Sequence, residues 1–264
     1  MIGARPRRTS QAQLKTLNFE ANRVACLRQP DRIAGMNASL LRFRKVVLLA
    51  LALQAGQASA GPAKTIAIGL IGDSTVATTY GWGPAFAGRL NERGKTLNFA
   101  KNGATLDSLS RKLDELLKEK PDYVLIQFGH NDMKRYDAEA YGEKLRGYIG
   151  RVKKAGSRPV VLSSVTRRHF DEKGKIAPRV VEGRTLPGFA KVARRVAREE
   201  GVPFIDLNAI SIRHHNRIGP EASAAYNFKA DDRTHFSEKG GEAIADLVIR
   251  GLKAAVPELA VCFK

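Results

Sequence analysis

Five short, nearly uninterrupted apolar runs, separated by stretches whose apolar residues recur every three to four positions, leave this chain few folds to adopt. The strongest runs are residues 64–72 (KTIAIGLIG), 123–129 (YVLIQFG) and 159–164 (PVVLSS), with weaker ones at 96–100 and 203–206. A strand that is apolar at consecutive residues has both faces covered, as in a parallel sheet buried between helices. Between the runs, Leu106, Leu109, Leu113, Leu116 and Leu117 mark one helical stripe. Tyr141, Leu145, Ile149 and Val152 mark a second, and Phe189, Val192 and Val196 a third. A last helix is expected over 237–255, opened by Ser237 and Glu238, with Ile244, Leu247, Val248 and Leu252 on one side. Such alternation predicts a single α/β domain around a five-stranded parallel sheet, with one long polar insertion at 167–182.

The domain is expected to occupy residues 61–264. From Met36, the basic residues Arg42, Arg44 and Lys45 precede the apolar stretch VVLLALALQA, and Ala58-Ser59-Ala60 stands before Gly61. That order reads as a secretory signal peptide over 36–60, with residues 1–35 an Arg-rich extension upstream of the true start, and a secreted or periplasmic product. The longest apolar run, 46–53, is less than half of the roughly 18 to 20 residues a spanning helix needs, so no membrane insertion is expected after cleavage. Cys26 and Cys262 are the only cysteines, which excludes a disulfide framework or a Cys-based zinc cluster built from this chain alone. The whole chain carries 45 Lys+Arg against 26 Asp+Glu; without residues 1–60 the count is 35 against 24, or +11. A field of that sign attracts polyanions, whether acidic polysaccharide, anionic membrane or nucleic acid. No nucleic-acid motif accompanies it, so nucleic acid is not an expected partner.

In an open parallel sheet, ligands bind beyond the carboxyl ends of the strands. The first run ends in Gly72-Asp73-Ser74-Thr75 and the 123–129 run leads into His130-Asn131-Asp132, while Asp232-Arg233-Thr234-His235 precedes the last helix. A serine hydroxyl is a poor nucleophile until a base takes its proton, and an imidazole does so best when a carboxylate holds its tautomer. Asp232 and His235, three residues apart on a turn, suit those two roles towards Ser74. An oxyanion needs donors aimed at it in advance, each worth roughly 2.7–4 kcal/mol of barrier. The side-chain amide of Asn131 and the backbone N–H groups of Ser74 and Gly103 are the candidates. Each motif alone has a plainer reading: Gly-Asp-Ser and Asn102-Gly103 are common turns, and Asp232 can simply stabilise the start of a helix. His130, His169, His214 and His215 read as solvated histidines. Joint occurrence at strand ends is what points to nucleophilic ester chemistry. Residues 72–76 end in Val76, so the GxSxG nucleophile elbow is absent.

On these residues the chain resembles the SGNH (GDSL-type) hydrolases over nearly all of 64–255. Ser74, Gly103, Asn131 and His235 stand where the family has its four namesake residues, and Asp232 where it has its aspartate. Within the family, the strings GDSTVA (72–77), GWG (81–83), IQFGHND (126–132), SSVTRRHFD (163–171) and DDRTHFSEKGGEAIADLV (231–248) are similar to the rhamnogalacturonan acetylesterase-like carbohydrate esterases. The resemblance implies a three-layer α/β/α, flavodoxin-like fold, a serine acyl-enzyme, no metal or cofactor, and acetate removed from an acidic pectin-type sugar. Arg167, Arg168 and His169 are then candidates for binding galacturonate carboxylates. One departure stands out: Gly103 is followed by Ala104-Thr105 where relatives usually carry Arg-Ser. A lipase, thioesterase or arylesterase on the same fold, and a non-catalytic carbohydrate-binding protein, are the alternatives.

Overall fold

The computed structural model describes residues 64–264, so the expected extension (1–35) and signal peptide (36–60) lie outside the described residues. Five strands form one sheet: β1 (Ile66–Gly72), β2 (Gly94–Asn98), β3 (Tyr123–Gln127), β4 (Arg158–Leu162) and β5 (Phe204–Ile205), in spatial order β2-β1-β3-β4-β5 and parallel throughout. Each expected run supplies a strand. β2 begins two residues before its apolar run because pairing with β1, Ile66 opposite Gly94, sets its start. Backbone bonds from Phe99 N to Leu70 O and from Lys101 N to Gly72 O then carry the chain on beside β1.

The helices are α1 (Gly83–Gly88), α2 (Ser110–Lys118), α3 (Ala138–Lys154), α4 (Leu186–Glu199), α5 (Leu207–Ala224) and α6 (Glu238–Ala255). Successive strand residues point to opposite faces, and the two faces feed two cores. Ile68, Leu70, Leu125 and Val160 pack with Trp82 and Phe86 from the α1 side and with Ile244 and Val248 of α6. Ile71, Val124 and Ile126 pack with Leu113, Ile149, Phe189 and Val196 of α2, α3 and α4. The result is a three-layer α/β/α sandwich. Side chains cap four helices, Asp137, Thr185, Asp206 and Ser237 each accepting from a backbone N–H three residues on.

Two helices escape the sequence pattern. α1 is six residues long, too short for a stripe, and is held by Trp82 and Phe86, both fully buried. In α5 the inward positions Leu207, Ser211 and His215 include two polar residues, and the helix kinks at Gly219 (φ +80°) ahead of Pro220. The polar insertion at 167–182 is ordered rather than loose: Phe170 bridges to Ile176, and Ile176 N donates to Asn216 Oδ1 of α5 at 2.7 Å. The order in which strands are added reverses at β1, with β2 on one side and β3 on the other. The loops after β1 and β3 therefore diverge at the switch point, where an open α/β sheet forms its crevice.

Candidate active site

Ser74 sits two residues beyond β1, in a turn that only glycine lets begin. A Cβ at Gly72 would lie 2.5 Å from Gln127 O and 2.7 Å from Val76 Cγ2. A buried chain of hydrogen bonds then holds the turn: Trp82 Nε1 donates to Gln127 Oε1 (3.0 Å), Gln127 Nε2 to Thr75 Oγ1 (2.6 Å), and Thr75 Oγ1 to Asp73 Oδ1 (2.7 Å). Asp73 Oδ1 also accepts from Thr75 N at 2.9 Å. Because these bonds share Thr75 Oγ1, Gln127 and Asp73 Oδ1, reorienting the turn would break several of them together.

His235 reaches this turn from the segment before α6. Its Nε2 lies 2.8 Å from Ser74 Oγ, and its Nδ1 lies 2.8 Å from Asp232 Oδ2. The other carboxylate oxygen of Asp232 accepts from the backbone N–H groups of Thr234 (3.0 Å) and His235 (2.9 Å). Burial acts to raise the Asp232 carboxyl, but the hydrogen bonds from His235 and Thr234 outweigh it and hold the group below its ordinary range. Asp232 thus stays ionised and fixes Nδ1 as the protonated nitrogen, leaving Nε2 free to take the serine proton. N-capping of α6 falls to Ser237 instead.

The expected oxyanion donors line the neighbouring loops. Gly103 adopts φ +72°, a left-handed conformation suited to glycine, in a turn placed beside Gly72 by the Lys101 N to Gly72 O bond (3.1 Å). Asn131 follows β3, and its Nδ2 donates to Ala104 O at 3.0 Å, which joins the two loops and leaves the second amide hydrogen uncommitted. Among the described residues, the N–H groups of Ser74 and Gly103 have no protein acceptor. Ala104 and Thr105 are buried, and Thr105 Oγ1 accepts from Ser108 N.

Three expectations need correction. Arg168 does not face a substrate: it is 2% exposed, its Nη2 donates to Asp232 O (3.0 Å) and His235 O (2.6 Å), and its Nε donates to Asn227 Oδ1 (2.7 Å). It clamps the Asp232–His235 segment from behind, with its guanidinium 5.0 Å from the Phe236 ring centre. His130 and His215 are not solvated but buried, and burial drives both towards the neutral form. His215 Nδ1 pairs with Ser223 Oγ at 2.9 Å. Arg167 remains half-buried near the relay, its Nη1 donating to Thr234 Oγ1 at 3.2 Å. His169 is half-buried too, and burial together with the charges of Arg233, Arg167 and Arg179 lowers its affinity for a proton.

Asp73, Thr75, Trp82, Gln127 and Asp132 belong to the site and were not singled out from the sequence. Asp132 Oδ1 accepts from Leu106 N at 2.9 Å, and burial with Asp73 nearby pushes its carboxyl up to about 7. Asp73, Thr75 and Asp132 were visible only as members of the strand-end motifs, and Gln127 as a polar residue inside an otherwise apolar run.

Residues 70–243 match the GDSL-like lipase/acylhydrolase family. The rhamnogalacturonan acetylesterase RhgT of Bacillus subtilis is 34% identical over 216 residues, 72% of this chain and 90% of the relative. The probable rhamnogalacturonan acetylesterase YesY of the same organism is 30% identical over 204 residues, 70% and 91% of the two chains. In fold, the chain is similar to the crystal structure of protein YxiM from B. subtilis (TM-score 0.62, 23% identity), covering 75% of this chain and 58% of that one. It is also similar to an acetyl-xylooligosaccharide esterase from Geobacillus (TM-score 0.55, 21% identity), covering 72% and 95%. The chain therefore belongs to the GDSL-like lipase/acylhydrolase family, the SGNH hydrolases of carboxylic esters.

Proposed function

We propose that this protein is an exported serine esterase that removes acetyl groups from an acidic, pectin-type polysaccharide or oligosaccharide. The observation that carries the mechanism is the continuous relay from Ser74 Oγ through His235 to Asp232, with 2.8 Å at both links. Ser74 Oγ attacks the acetyl carbonyl while His235 Nε2 takes its proton, and Asp232 stabilises the imidazolium that forms. The oxyanion is met by the N–H groups of Ser74 and Gly103 and by Asn131 Nδ2. Collapse of the tetrahedral intermediate expels the sugar hydroxyl, which leaves with the proton from His235. Water, activated by the same imidazole, then releases acetate from the acyl-serine and restores the enzyme.

Acetyl as the acyl group, and a glycan as its carrier, are supported by the named activities of RhgT and YesY. An acidic substrate is supported by the +11 balance beyond residue 60 and by the cations beside the relay. Arg167, Arg179 and Lys134 lie close enough for their charges to act on one another, and Arg167 and Arg179 line one small depression. Cations gathered that closely favour an anion between them. Export rests on the reading of residues 36–60.

The test is acetate release by residues 61–264 from acetylated pectin fragments, beside hydrolysis of a long-chain p-nitrophenyl ester. Ser74→Ala is expected to lose at least about 10³-fold in kcat on the fragments with its unfolding midpoint unchanged. Full activity in that variant overturns the mechanism. Preference for the long-chain ester moves the protein to the lipase or thioesterase branch.

A further inference from the structure

Between the loop that follows Ser74 and the first turns of α6 lies a groove of about 520 Å³, whose walls include Thr78, Thr79, Phe228, Phe236, Glu238 and Glu242. It takes no part in the relay, yet it begins there. Phe236 adjoins His235 and its N–H donates to Tyr80 O at 2.9 Å, while Phe228 N donates to His235 O at 3.2 Å. The Tyr80 ring centre is 5.4 Å from that of the His235 imidazole and 4.5 Å from that of Phe228, which it meets edge-on. Two aromatic rings thus lead from the reacting imidazole to the groove wall.

Phe228 is 39% exposed, one of three large apolar side chains left in solvent among the described residues. A lone exposed phenylalanine needs no explanation. One held by its backbone to His235, on the wall of a groove within the size range of small-ligand clefts, offers a surface to a ligand. An aromatic face carries negative potential, and the axial C–H groups of a pyranose present a weakly positive, apolar face that stacks on it. Lys229 Nζ, 5.8 Å from the Phe228 ring centre, now sits over that ring on a flexible, solvent-exposed stem.

The charge of the groove selects among sugars. Its ionisable wall residues are Glu238 and Glu242, and Arg89 stands 3.9 Å from Glu242. Exposed carboxylates accept hydroxyl hydrogens and repel a uronate. The depression containing Arg167 and Arg179 shares no wall residue with this groove and its ionisable wall residues are both cationic, whereas here Arg89 and Lys229 only offset Glu238 and Glu242 and leave no net positive charge for a uronate. We propose that the groove is a glycan subsite for an uncharged pyranose next to the acetylated residue, its C–H face on Phe228 and its hydroxyls directed to Glu238 and Glu242. This rests on the carbohydrate-ester reading of Ser74, and it divides a substrate between an anionic residue on the Arg167 side and a neutral one here.

Two measurements test it. The kcat/KM of residues 61–264 for an acetylated neutral trisaccharide, divided by that for the acetylated monosaccharide, is expected to fall roughly three- to tenfold in Phe228→Ala, through KM rather than kcat. An unchanged ratio, or a fall in kcat alone, overturns the subsite. Binding of the unacetylated neutral trisaccharide to Ser74→Ala by calorimetry needs no turnover, and it is expected to weaken to a similar degree when Phe228→Ala is added. Binding that depends on Phe228 in a protein that releases no acetate keeps the subsite and defeats the esterase. Acetate release with binding indifferent to Phe228, or a galacturonate trimer whose binding weakens in Phe228→Ala as much as that of the neutral one, defeats the subsite alone.

Discussion

At the scale of single residues, the site is organised by which polar atoms have partners. Asp232 spends one oxygen on two backbone N–H groups and the other on His235 Nδ1, so the carboxylate cannot rotate without losing several bonds. Arg168 performs the matching task from the far side, holding the carbonyls of the same two residues. Replacing it with leucine takes the side-chain donor from both carbonyls, leaving His235 O only the Phe228 N–H, a loss of about 2 kcal/mol. Arg168→Leu is therefore expected to lower both the urea midpoint and kcat, while Arg168→Lys, which keeps a donor but not the fork, recovers part of each. Equal kcat for the native protein and the leucine variant would separate the clamp from the relay. In sequence, Arg167, Arg168 and His169 look alike, three cationic or polar residues in a loop. Only packing distinguishes the one that turns inward.

At the scale of elements, strand ends and helix starts position the chemistry. The loops after β1 and β3 diverge and leave a crevice between them because β2 and β3 flank β1 on opposite sides, and α6 delivers His235 from the segment just before its first turn. That turn is fixed by Ser237, whose Oγ accepts from Gly240 N at 3.2 Å and donates to Ala225 O at 2.8 Å. Ser237→Ala is expected to cost about 1 kcal/mol in chemical denaturation, the usual worth of such a cap. The start of α6 was legible because Ser-Glu precedes an apolar stripe. α5 was not, since its inward positions carry the polar residues Ser211 and His215, which find their partners in Thr166 N from another segment and in Ser223 beyond the kink of the same helix.

For the whole molecule, the buried titratable groups set the response to pH. Asp132, at about 7 in the folded protein, lies above an unfolded aspartate at about 3.9. The folded state therefore holds that proton more tightly, so the stability from this group is full below about pH 4 and is lost as pH rises towards 7. His215, pushed down to about 3 by burial and by Arg168, acts in the opposite sense: its stability is present above about pH 6.5 and is lost as pH falls. Asp132→Asn removes the first slope and keeps the second. The stability of the variant minus that of the native protein, from urea midpoints, is expected to increase from pH 4 to pH 7 and then level off. A difference independent of pH would show that Asp132 does not hold its proton in the folded state.

Strand and helix alternation, and the placing of Ser74, Asn131 and His235 at strand ends and before the last helix, were determined by the sequence alone, because local periodicity reports which residues must be buried. Parallel pairing in the order β2-β1-β3-β4-β5 brings those segments to one edge of the sheet, and only the tertiary structure reveals what supports them there. Trp82, Gln127, Thr75 and Asp73 are drawn from segments up to 54 residues apart, and Arg168 lies 64 residues before Asp232. A polar residue has the same local signature whether it faces water or a buried partner. Its role is decided by a contact that chain order does not contain.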